Sequence, residues 1–326
     1  MRAAYVTRLG GPEVIEVGDL PDPVAGTGEV VVRVGYAPVN HVDTFVRSGR
    51  YPTPTPFPFV IGRDLVGTIA AIGPGVEGLQ PDQAVWSNSM GHGGRPGTSS
   101  ELVAVPAERL YPLPSQADPV ELAALVHPAA TAHLGLFRHA RLRLAETVVV
   151  MGAGGAVGSA VVQLAARAGA RVIALTSRTS MDWVRTCGAG VVLDHDDPGV
   201  AEAVAAAAPD GVDVWWDNSA RGELGMPLSR LALGGRLVVV AGTAARAAFT
   251  LGELYVRDAS LVGFVISNAS VADLAEAARA INAVVADGGL RVRPPEVLPL
   301  EEAAAAHAAM ESGIAGPGRL VLQVSG

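Results

Sequence analysis

The sequence contains a single cysteine, Cys187, and no lysine, so all 24 of its basic residues are arginines. One cysteine cannot form an internal disulfide or supply the thiolates of a cysteine-rich zinc site. Without lysine, the chain cannot form a Schiff base, a lysine-containing phosphate loop or a tyrosine–lysine proton relay. Composition alone therefore excludes several classes of enzyme.

Aromatic residues are also scarce, at 5%, although hydrophobic residues make up 49% of the 326 residues. The core must be built mainly from alanine, valine and leucine, in an otherwise ordinary globular protein. Acidic residues outnumber basic residues and give a net charge of −8, with no arginine cluster along the sequence. Nucleic-acid binding normally requires a basic patch, so we do not expect a nucleic-acid partner.

No segment of the sequence is expected to direct the chain to a membrane. The N-terminus, MRAAYVTRLGG, lacks the apolar stretch of a signal peptide. Residues 147–166 carry no charge and are long enough to span a bilayer, but four glycines interrupt them within seven residues. We interpret this stretch as a strand, a turn and a helix, and we expect a cytoplasmic protein without a membrane partner.

Two patterns divide the chain into two expected domains. Residues 1–118 contain short strand-like runs, such as EVVVRVGYAPV at 29–39, between dense turn signals, which predicts a β-rich, partly open barrel. Residues 119–294 begin with a helix and then alternate strands with helices, including PLSRLALGG at 227–235 as a helix. This alternation predicts an α/β domain with a doubly wound parallel sheet. The last helix and strand, within 295–326, are expected to complete the first domain.

A glycine-rich turn, GAGGAVG at 152–158, joins a predicted strand to a predicted helix. In a dinucleotide-binding unit, small residues permit the tight turn, let the backbone approach the pyrophosphate and let the helix lie close to the strand. The helix N-terminus then presents N–H donors to the phosphates. The candidate cofactor-binding residues are Gly152, Ala153, Gly155, Ala156, Val157 and Gly158. The alternative is a turn of the same fold that binds nothing.

The next predicted strand ends without the acidic residue that usually bonds the ribose 2′-hydroxyl of NAD. Ser177 and Arg178 occupy this position instead. A carboxylate there would repel a 2′-phosphate, whereas Ser177 offers a hydroxyl and Arg178 a cation. The sequence therefore predicts NADPH as the cofactor. Asp182 lies nearby but falls in the following helix, and Arg178 is alternatively a solvated loop residue.

In combination, these features resemble the medium-chain dehydrogenase/reductase superfamily, and most of all its zinc-free quinone oxidoreductase branch. The resemblance covers essentially the whole chain, and the segments that carry it are 29–52, 75–86, HPAATAH at 127–133, the glycine turn and GPGRLVL at 316–322. It implies a GroES-like first domain and a Rossmann second domain that bind NADPH and a small-molecule substrate. Zinc-dependent relatives carry a cysteine at the position of Asn40 and Gly-His-Glu at 62–64, which here is Gly-Arg-Asp, so no metal is expected.

The resemblance also implies roles for individual residues. Asn40, Asp43 and Tyr51 match residues that line the nicotinamide and substrate pocket of similar reductases, and they are the candidate catalytic residues. The residues that match further cofactor contacts are Asn40, Thr131, Ser177, Arg178, His195, Asn218, Gly242, Phe264 and Arg319. Relatives often place a lysine near the 2′-phosphate, so Arg178 must replace it here. Asp43 is alternatively a turn or helix-capping residue and Tyr51 a packed loop aromatic, while His127 is interpreted as structural.

The expected activity is reduction of a quinone, or of an alkene conjugated to a carbonyl, by hydride from NADPH. The proton that follows would come from Tyr51 or from water. Two alternatives stay open. One is an enoyl-thioester reductase, in which Arg47, Arg50 and Arg63 are candidates to bind the anionic arm, and the other is a non-catalytic NADPH-binding sensor or structural protein. The apolar segment SLVGFVI at 260–266 is expected to be an edge strand that forms a homodimer.

Overall fold

The computed structural model describes residues 1–313, 316 and 318–325. Contacts divide the chain into two compact units. The first comprises Met1–His127, Ala269–Gly288 and Val292–Gly326, and the second comprises Pro128–Asn268 and Gly289–Arg291. The sequence instead places the domain boundaries after residues 118 and 294. The segment expected to complete the first domain, 295–326, includes residues 314, 315, 317 and 326, which lie outside the described residues.

The strands are numbered in chain order. The first eight are β1 (Arg2–Val6), β2 (Ile15–Asp19), β3 (Glu29–Pro38), β4 (Phe59–Val60), β5 (Leu65–Ile72), β6 (Ala84–Ser87), β7 (Leu102–Pro106) and β8 (Tyr111–Pro112). The second unit contains β9 (Thr147–Met151), β10 (Arg171–Thr176), β11 (Val191–Asp194), β12 (Val212–Asp217), β13 (Leu231–Val239) and β14 (Ser260–Gly263). Two strands near the end of the chain return to the first unit, namely β15 (Glu296–Pro299) and β16 (Leu320–Gln323).

The helices are numbered in the same way. They are α1 (His41–Ser48), α2 (Pro119–His133), α3 (Ala156–Arg167), α4 (Met181–Thr186), α5 (Val200–Ala207), α6 (Gly225–Ser229), α7 (Leu251–Tyr255), α8 (Val271–Ala286) and α9 (Ala303–Ser312). A π-helical segment, Leu134–His139, continues α2. The division between the two units falls inside α2, after His127.

The first unit is built on a seven-stranded sheet with the order β15-β16-β3-β5-β6-β8, in which β7 also pairs with β3. A second sheet has the order β2-β1-β4. Alternate residues of β3, Val30, Val32 and Val34, are buried against Leu65 and Ile69 of β5. This alternation follows from the period of two in a strand, and it builds the core from aliphatic side chains. Near the end of the chain, β16 pairs antiparallel with β3.

Helix α1 interrupts this β-rich unit at a place where the sequence predicts only strands and turns. The backbone N–H of Asn40, before the first helical residue, donates to Asp43 Oδ2 at 2.8 Å. Gly49 ends the helix with a φ of 78°, a left-handed conformation that favours glycine. Eight residues give too short a repeat to be read from hydrophobic periodicity, whereas the two ends carry recognisable capping residues.

The second unit contains a six-stranded parallel sheet with the order β11-β10-β9-β12-β13-β14, which confirms the predicted doubly wound architecture. One prediction within it is wrong. The segment 227–235 is helical only to Ser229, and β13 begins at Leu231. Leu228 and Leu231 are both buried, and their spacing imitates one face of a helix although the second leucine belongs to a strand.

Strand β14 lies at the edge of this sheet, as the sequence predicts for the segment that contains it. The Leu261 side chain on this strand is exposed. An exposed apolar edge can pair with another chain, so this position supports the homodimer, which stays a prediction.

One helical stretch of the described residues, Pro119–His139, is long and apolar enough to cross a membrane. Its apolar window is 72% buried inside the protein, as is typical of a core helix. The uncharged stretch at 147–166 forms β9, the glycine turn and most of α3. The predicted division of this stretch into strand, turn and helix is therefore confirmed.

Within the first unit, helix α8 is joined to β6 and β8 through Asn282 and the buried Trp86 indole. The Trp86 indole N–H donates to Asn282 Oδ1 at 3.0 Å, and Asn282 Nδ2 donates to the Pro112 carbonyl at 2.8 Å. Asn282→Ala leaves the buried indole without its acceptor, at a cost of about 1–3 kcal/mol. We expect the midpoint of thermal unfolding to fall by roughly 3 °C or more. Arg279→Ala, at an exposed position of α8, is the control, and an equal midpoint in both variants would contradict the assignment.

Candidate functional site

The glycine turn connects β9 to α3. Gly152 has a φ of 76°, which favours glycine, and the N–H groups of Gly152 and Ala153 donate to the Leu175 carbonyl at 3.0 and 3.1 Å. A Cβ atom on Gly158 would lie 2.2 Å from the Gly152 carbonyl oxygen. Glycine at 158 is therefore required by the close packing of the helix against the turn.

Gly155 differs from its neighbours because the chain itself does not require it. A Cβ atom there would meet only the Gly152 carbonyl oxygen, at 3.5 Å, which is an ordinary contact. Gly155 is exposed and precedes the first residue of α3, Ala156, with Val157 following in the first turn. The N-terminus of this helix therefore has room for a group that approaches the backbone closely. A pyrophosphate fits this description.

The loop after β10 contains the residues predicted to bind a 2′-phosphate. Ser177 Oγ lies 3.1 Å from Thr179 Oγ1. The Arg178 side chain is 81% exposed, and its Nε donates to Asp194 Oδ2 at 2.6 Å. Asp194 ends β11, directly beside Thr176 in the sheet. The sequence shows no acid at the end of β10, but the neighbouring strand supplies one from 16 residues further along.

Two further predicted cofactor residues lie close to these groups. His195 Nε2 is 3.1 Å from Asp196 Oδ2, and Asp196 also pairs with Arg221 at 3.3 Å. Asn218 follows β12 beside the glycine turn, and its Nδ2 donates to the Met151 carbonyl at 3.3 Å. The structure therefore brings His195 to the Arg178 loop and Asn218 to the turn.

The remaining predicted cofactor residues of the second unit are Phe264, Gly242 and Thr131. Phe264 stacks on His139, with ring centroids 4.4 Å apart. Gly242 follows β13 with a φ of 87°. Thr131 is buried in α2. These three positions follow from the fold of this unit, and their predicted contacts with the cofactor stay predictions.

In the first unit, Asn40 is the centre of a buried polar cluster. Its Nδ2 donates to Asp64 Oδ2 at 2.8 Å and lies 3.3 Å from Asp43 Oδ2. Arg319, which the resemblance assigns to the cofactor, donates from Nη2 to Asn40 Oδ1. Asn40, Asp43 and Asp64 are each at most 3% exposed. The structure therefore brings together two of the predicted catalytic residues, Asn40 and Asp43, with Arg319.

Asp64 and His127 extend this cluster. His127 Nδ1 lies 3.1 Å from Asp64 Oδ2. Burial alone would raise the pKa of Asp64, but the facing His127, the Asn40 amide and Arg63 together hold that pKa below its ordinary value. Asp64 is a site residue that the sequence analysis does not assign. Its signal in the sequence is the Gly-Arg-Asp run at 62–64, in place of the Gly-His-Glu of zinc-dependent relatives.

Asp43 behaves in the opposite way. Burial, and then the charge of Asp64, raise the pKa of Asp43 to about 6, against the weaker opposing effects of Arg63, the Asn40 N–H and His127. Its Oδ1 is buried without a hydrogen-bond partner among the described residues. Two buried carboxyl groups that share one amide cannot both ionise freely, so Asp43 keeps its proton up to about pH 6.

Tyr51, the third predicted catalytic residue, is joined to the cluster through Arg63. The Arg63 guanidinium carbon lies 6.0 Å from the Tyr51 ring centroid. Arg63 is 1% exposed, and it lies close enough to Asp43 and Asp64 for both carboxylates to stabilise its charge. Tyr51 also contacts the His92 ring, with 5.5 Å between the ring centroids. The three predicted catalytic residues therefore belong to one neighbourhood of the first unit.

Two of the arginines considered for an anionic substrate arm have other contacts. The Arg47 side chain is fully buried and pairs with Glu311, and its Nε donates to the Gly10 carbonyl at 3.2 Å. Arg50 lies over the Phe45 ring, with its guanidinium carbon 5.9 Å from the centroid. Arg47 therefore connects α1 to α9 and has a structural role instead of the predicted binding role.

The donor set of the first unit does not suit a zinc ion. Zinc is usually held by thiolate, imidazole and carboxylate ligands in a tetrahedron. The described residues contain no group of three His, Cys, Asp or Glu side chains that could hold a metal. Asn40 uses its amide N–H as a donor to Asp64, and Cys187 lies in the second unit.

The shifted pKa of Asp43 predicts how stability depends on pH. Because the folded state holds this proton more tightly than the unfolded chain, stability falls as pH rises from about 4 to about 6, by at most about 3 kcal/mol. Asp43→Asn keeps an acceptor for the Asn40 N–H and removes this dependence. We therefore expect the midpoint of thermal unfolding of the variant, measured relative to that of the wild type, to be higher at pH 8 than at pH 4.5. Asp19→Asn, at an exposed position, is the control, and an equal difference at both pH values would contradict the prediction.

Comparisons with known proteins agree with this geometry. Residues 26–115 match the family model described as alcohol dehydrogenase GroES-like domain, and residues 156–283 match the one described as zinc-binding dehydrogenase. The chain is 31% identical to the quinone oxidoreductase of Mus musculus, with 99% of this chain and 97% of that protein covered.

Solved structures of related proteins have the same fold as this chain. An NAD-dependent alcohol dehydrogenase superposes with a TM-score of 0.90 at 31% identity, with both chains fully covered. A mycobacterial protein complexed with NADPH superposes with a TM-score of 0.83 at 26% identity, covering 99% of this chain and 100% of that one. The chain has a GroES-like domain and a Rossmann-like domain, and it belongs to the medium-chain dehydrogenase/reductase superfamily, within its quinone oxidoreductase branch.

Proposed function

We propose that this oxidoreductase uses NADPH, without zinc, to reduce a quinone or an alkene conjugated to a carbonyl. The observation that carries the proposal is the glycine turn, in which Gly158 is required by packing and Gly155 is not. Space kept open in front of a helix N-terminus suits a pyrophosphate. When bound, the cofactor supplies the hydride, and the chain must position the acceptor and manage the proton.

The described residues contain no group of side chains suited to zinc, which supports the zinc-independent part of the proposal. In place of a metal, hydrogen-bond donors must polarise the carbonyl of the acceptor. The Tyr51 hydroxyl and the Asn40 amide are the candidate donors in the first unit. Asn40 is already committed to Asp64 and Arg319, which holds its side chain in one orientation. We infer that Tyr51 is the direct donor and that Asn40 and Asp43 position the groups around it.

The proton in the cluster supports this division of roles. A quinone takes up one hydride and one proton, and a conjugated alkene does the same. Asp43, with its pKa raised to about 6, can exchange a proton near neutral pH, whereas the guanidinium groups cannot. The proposed proton source is Tyr51 or water. Asp43 can take up or release a proton close to them, which changes the net charge of the cluster by one.

The proposed preference for NADPH over NADH depends on Arg178. One contact of Arg178, its ion pair with Asp194, works against this preference. Asp194 binds Arg178 at 2.6 Å and places a carboxylate beside the proposed 2′-phosphate position. A carboxylate repels a 2′-phosphate and accepts a hydrogen bond from a 2′-hydroxyl. One solved relative is named for NAD and another contains NADPH, so the family fold accepts both cofactors. We propose that the cation prevails because its side chain is mostly exposed and can turn to a phosphate.

This proposal predicts opposite effects for two substitutions. Arg178→Ala should raise the dissociation constant for NADPH about tenfold or more and that for NADH much less, because only NADPH carries the 2′-phosphate. Asp194→Asn should strengthen binding of NADPH because it releases Arg178 and removes the repelling charge. Nicotinamide fluorescence titrations measure both constants without turnover. Arg185→Ala, an exposed arginine on α4, is the control, and equal losses for both cofactors in Arg178→Ala would mean that Arg178 does not bind the phosphate.

The activity itself is tested with two acceptors at one fixed NADPH concentration. We expect oxidation of NADPH with 1,4-benzoquinone, with kcat/KM falling about tenfold or more in Tyr51→Phe because the hydroxyl donor is lost. Turnover of a crotonyl thioester with none of the quinone would instead favour the enoyl-thioester reductase. Binding of NADPH without turnover of either acceptor would favour the non-catalytic alternative.

A further inference from the structure

Two arginine side chains of the first unit meet at one serine in the loop between β6 and β7. Arg95 Nη2 donates to the Ser89 carbonyl at 2.9 Å, and Arg109 Nη1 donates to Ser89 Oγ at 2.8 Å. Ser89 itself is buried and has a φ of 64°, an uncommon conformation for a residue with a side chain. A strained serine thus holds two guanidinium groups side by side.

The pair adjoins the neighbourhood of Tyr51. His92, in the same loop, contacts the Tyr51 ring, and Arg63 lies on that ring as well. The positive charges of Arg63, Arg95 and Arg109 all reach His92 and, after burial, lower its pKa. We call Arg95 and Arg109 the loop cations. They act on His92, which contacts Tyr51, the residue that the proposed function places at the acceptor.

Among the residues that the structure describes, Arg95 and Arg109 lack the carboxylate partners that several other arginines have. Arg47 pairs with Glu311, Arg178 with Asp194 and Arg236 with Glu146. Neither Arg95 nor Arg109 forms an ion pair with any Asp or Glu of the described residues. Burial lowers the pKa of Arg95, and the like charges of Arg109 and Arg63 lower it further. Like charges held together destabilise one another, and a bound anion would relieve that repulsion.

A second, independent observation points to a ligand at this loop. Asn88 is 1% exposed, yet neither its amide nitrogen nor its amide oxygen has a hydrogen-bond partner among the described residues. Arg95 Nε is likewise buried without a partner there. Buried polar groups of folded proteins are nearly always hydrogen-bonded, so these donors are available to a bound group.

We propose that the loop cations and Asn88 bind an anionic group, a carboxylate or a phosphate, carried by the substrate that is reduced beside Tyr51. The proposal rests on the proposed function, because it gives the acceptor a charge that a simple quinone lacks. Planar guanidinium groups bind carboxylate and phosphate in two-point contacts, and an amide N–H adds a third donor. The pyrophosphate of the cofactor is assigned to the glycine turn of the second unit, so the loop cations are not needed for it.

The first test measures binding of inorganic phosphate by calorimetry, without turnover. We expect Arg95→Gln and Arg109→Gln each to weaken phosphate binding about tenfold, the loss of one charged hydrogen bond. Arg109→Lys keeps the charge and should recover part of the affinity, which separates charge from folding. Phosphate bound at the glycine turn contributes equally in all variants. Arg33→Gln, an exposed arginine of β3, is the control, and equal binding in all variants would overturn the proposal.

The second test compares pairs of acceptors that share the reacting alkene and differ in whether they carry an anionic group. For 4-oxopent-2-enoate and its methyl ester, we expect the ratio of kcat/KM, anion to ester, to fall about tenfold in Arg95→Gln and in Arg109→Gln. The same ratio for crotonyl-coenzyme A and a crotonyl thioester without phosphates shows whether the anion is a phosphate on an arm instead of a carboxylate. A fall in either ratio supports the proposal and identifies the source.

The two proposals fail in distinguishable ways. If no acceptor is reduced but the glutamine variants lose phosphate binding, the proposed activity is wrong and the anion site stands. If the acceptors are reduced with the same ratios in wild type, both glutamine variants and Arg33→Gln, the anion site is wrong and the activity stands.

Discussion

The hydrogen bonding of one carboxamide, that of Asn40, organises the first unit. A carboxamide offers two N–H donors and one acceptor oxygen, and here the donors face two aspartates while the oxygen faces Arg319. These groups come from the start of α1, the residue before β5 and the residue before β16, so one side chain connects three distant parts of the chain. A thiol at this position could not replace it, because a thiol has one weak S–H donor, whereas the carboxamide uses two N–H donors and a carbonyl oxygen. With cysteine at this position, as the resemblance implies for zinc-dependent relatives, the hydrogen bonds to Asp43, Asp64 and Arg319 could not all form.

The same network explains how a chain without lysine handles protons. Arginine stays charged at any pH that the protein tolerates, so its guanidinium groups can bind and orient but cannot exchange protons. Arg63 and Arg319 instead balance the charges of Asp43 and Asp64 in a volume from which water is largely excluded. The two carboxyl groups differ. The neighbours of Asp64 lower its pKa, whereas burial and the charge of Asp64 raise the pKa of Asp43 to about 6. Within this network, proton exchange is thereby concentrated in Asp43.

The sequence predicted what depends on local pattern. The alternation of strands and helices fixed the parallel sheet, and the glycine spacing marked the turn before α3, because both signals lie within a few residues. It could not reveal pairs made across the fold, such as Asp64 with His127, Arg95 with Arg109 through Ser89, or Asp194 with Arg178. No acid directly follows β10 in the sequence, but the parallel sheet places the end of β11, with Asp194, beside the end of β10. The spacing of Leu228 and Leu231 predicts a single helix and is misleading, because the first leucine belongs to α6 and the second to β13.

The contrast between Gly155 and Gly158 has a consequence for how this chain can change over evolution. Gly158 is kept by the contact of α3 with the turn, so a larger residue there is eliminated together with the folded protein. Gly155 has no such protection, because the fold accommodates a methyl group at ordinary distance. A descendant that lost the need for a dinucleotide could replace Gly155 and keep its fold, its stability and its abundance. Such a descendant would still be recognised as a member of this family, and its loss of the cofactor would be recorded at that one residue.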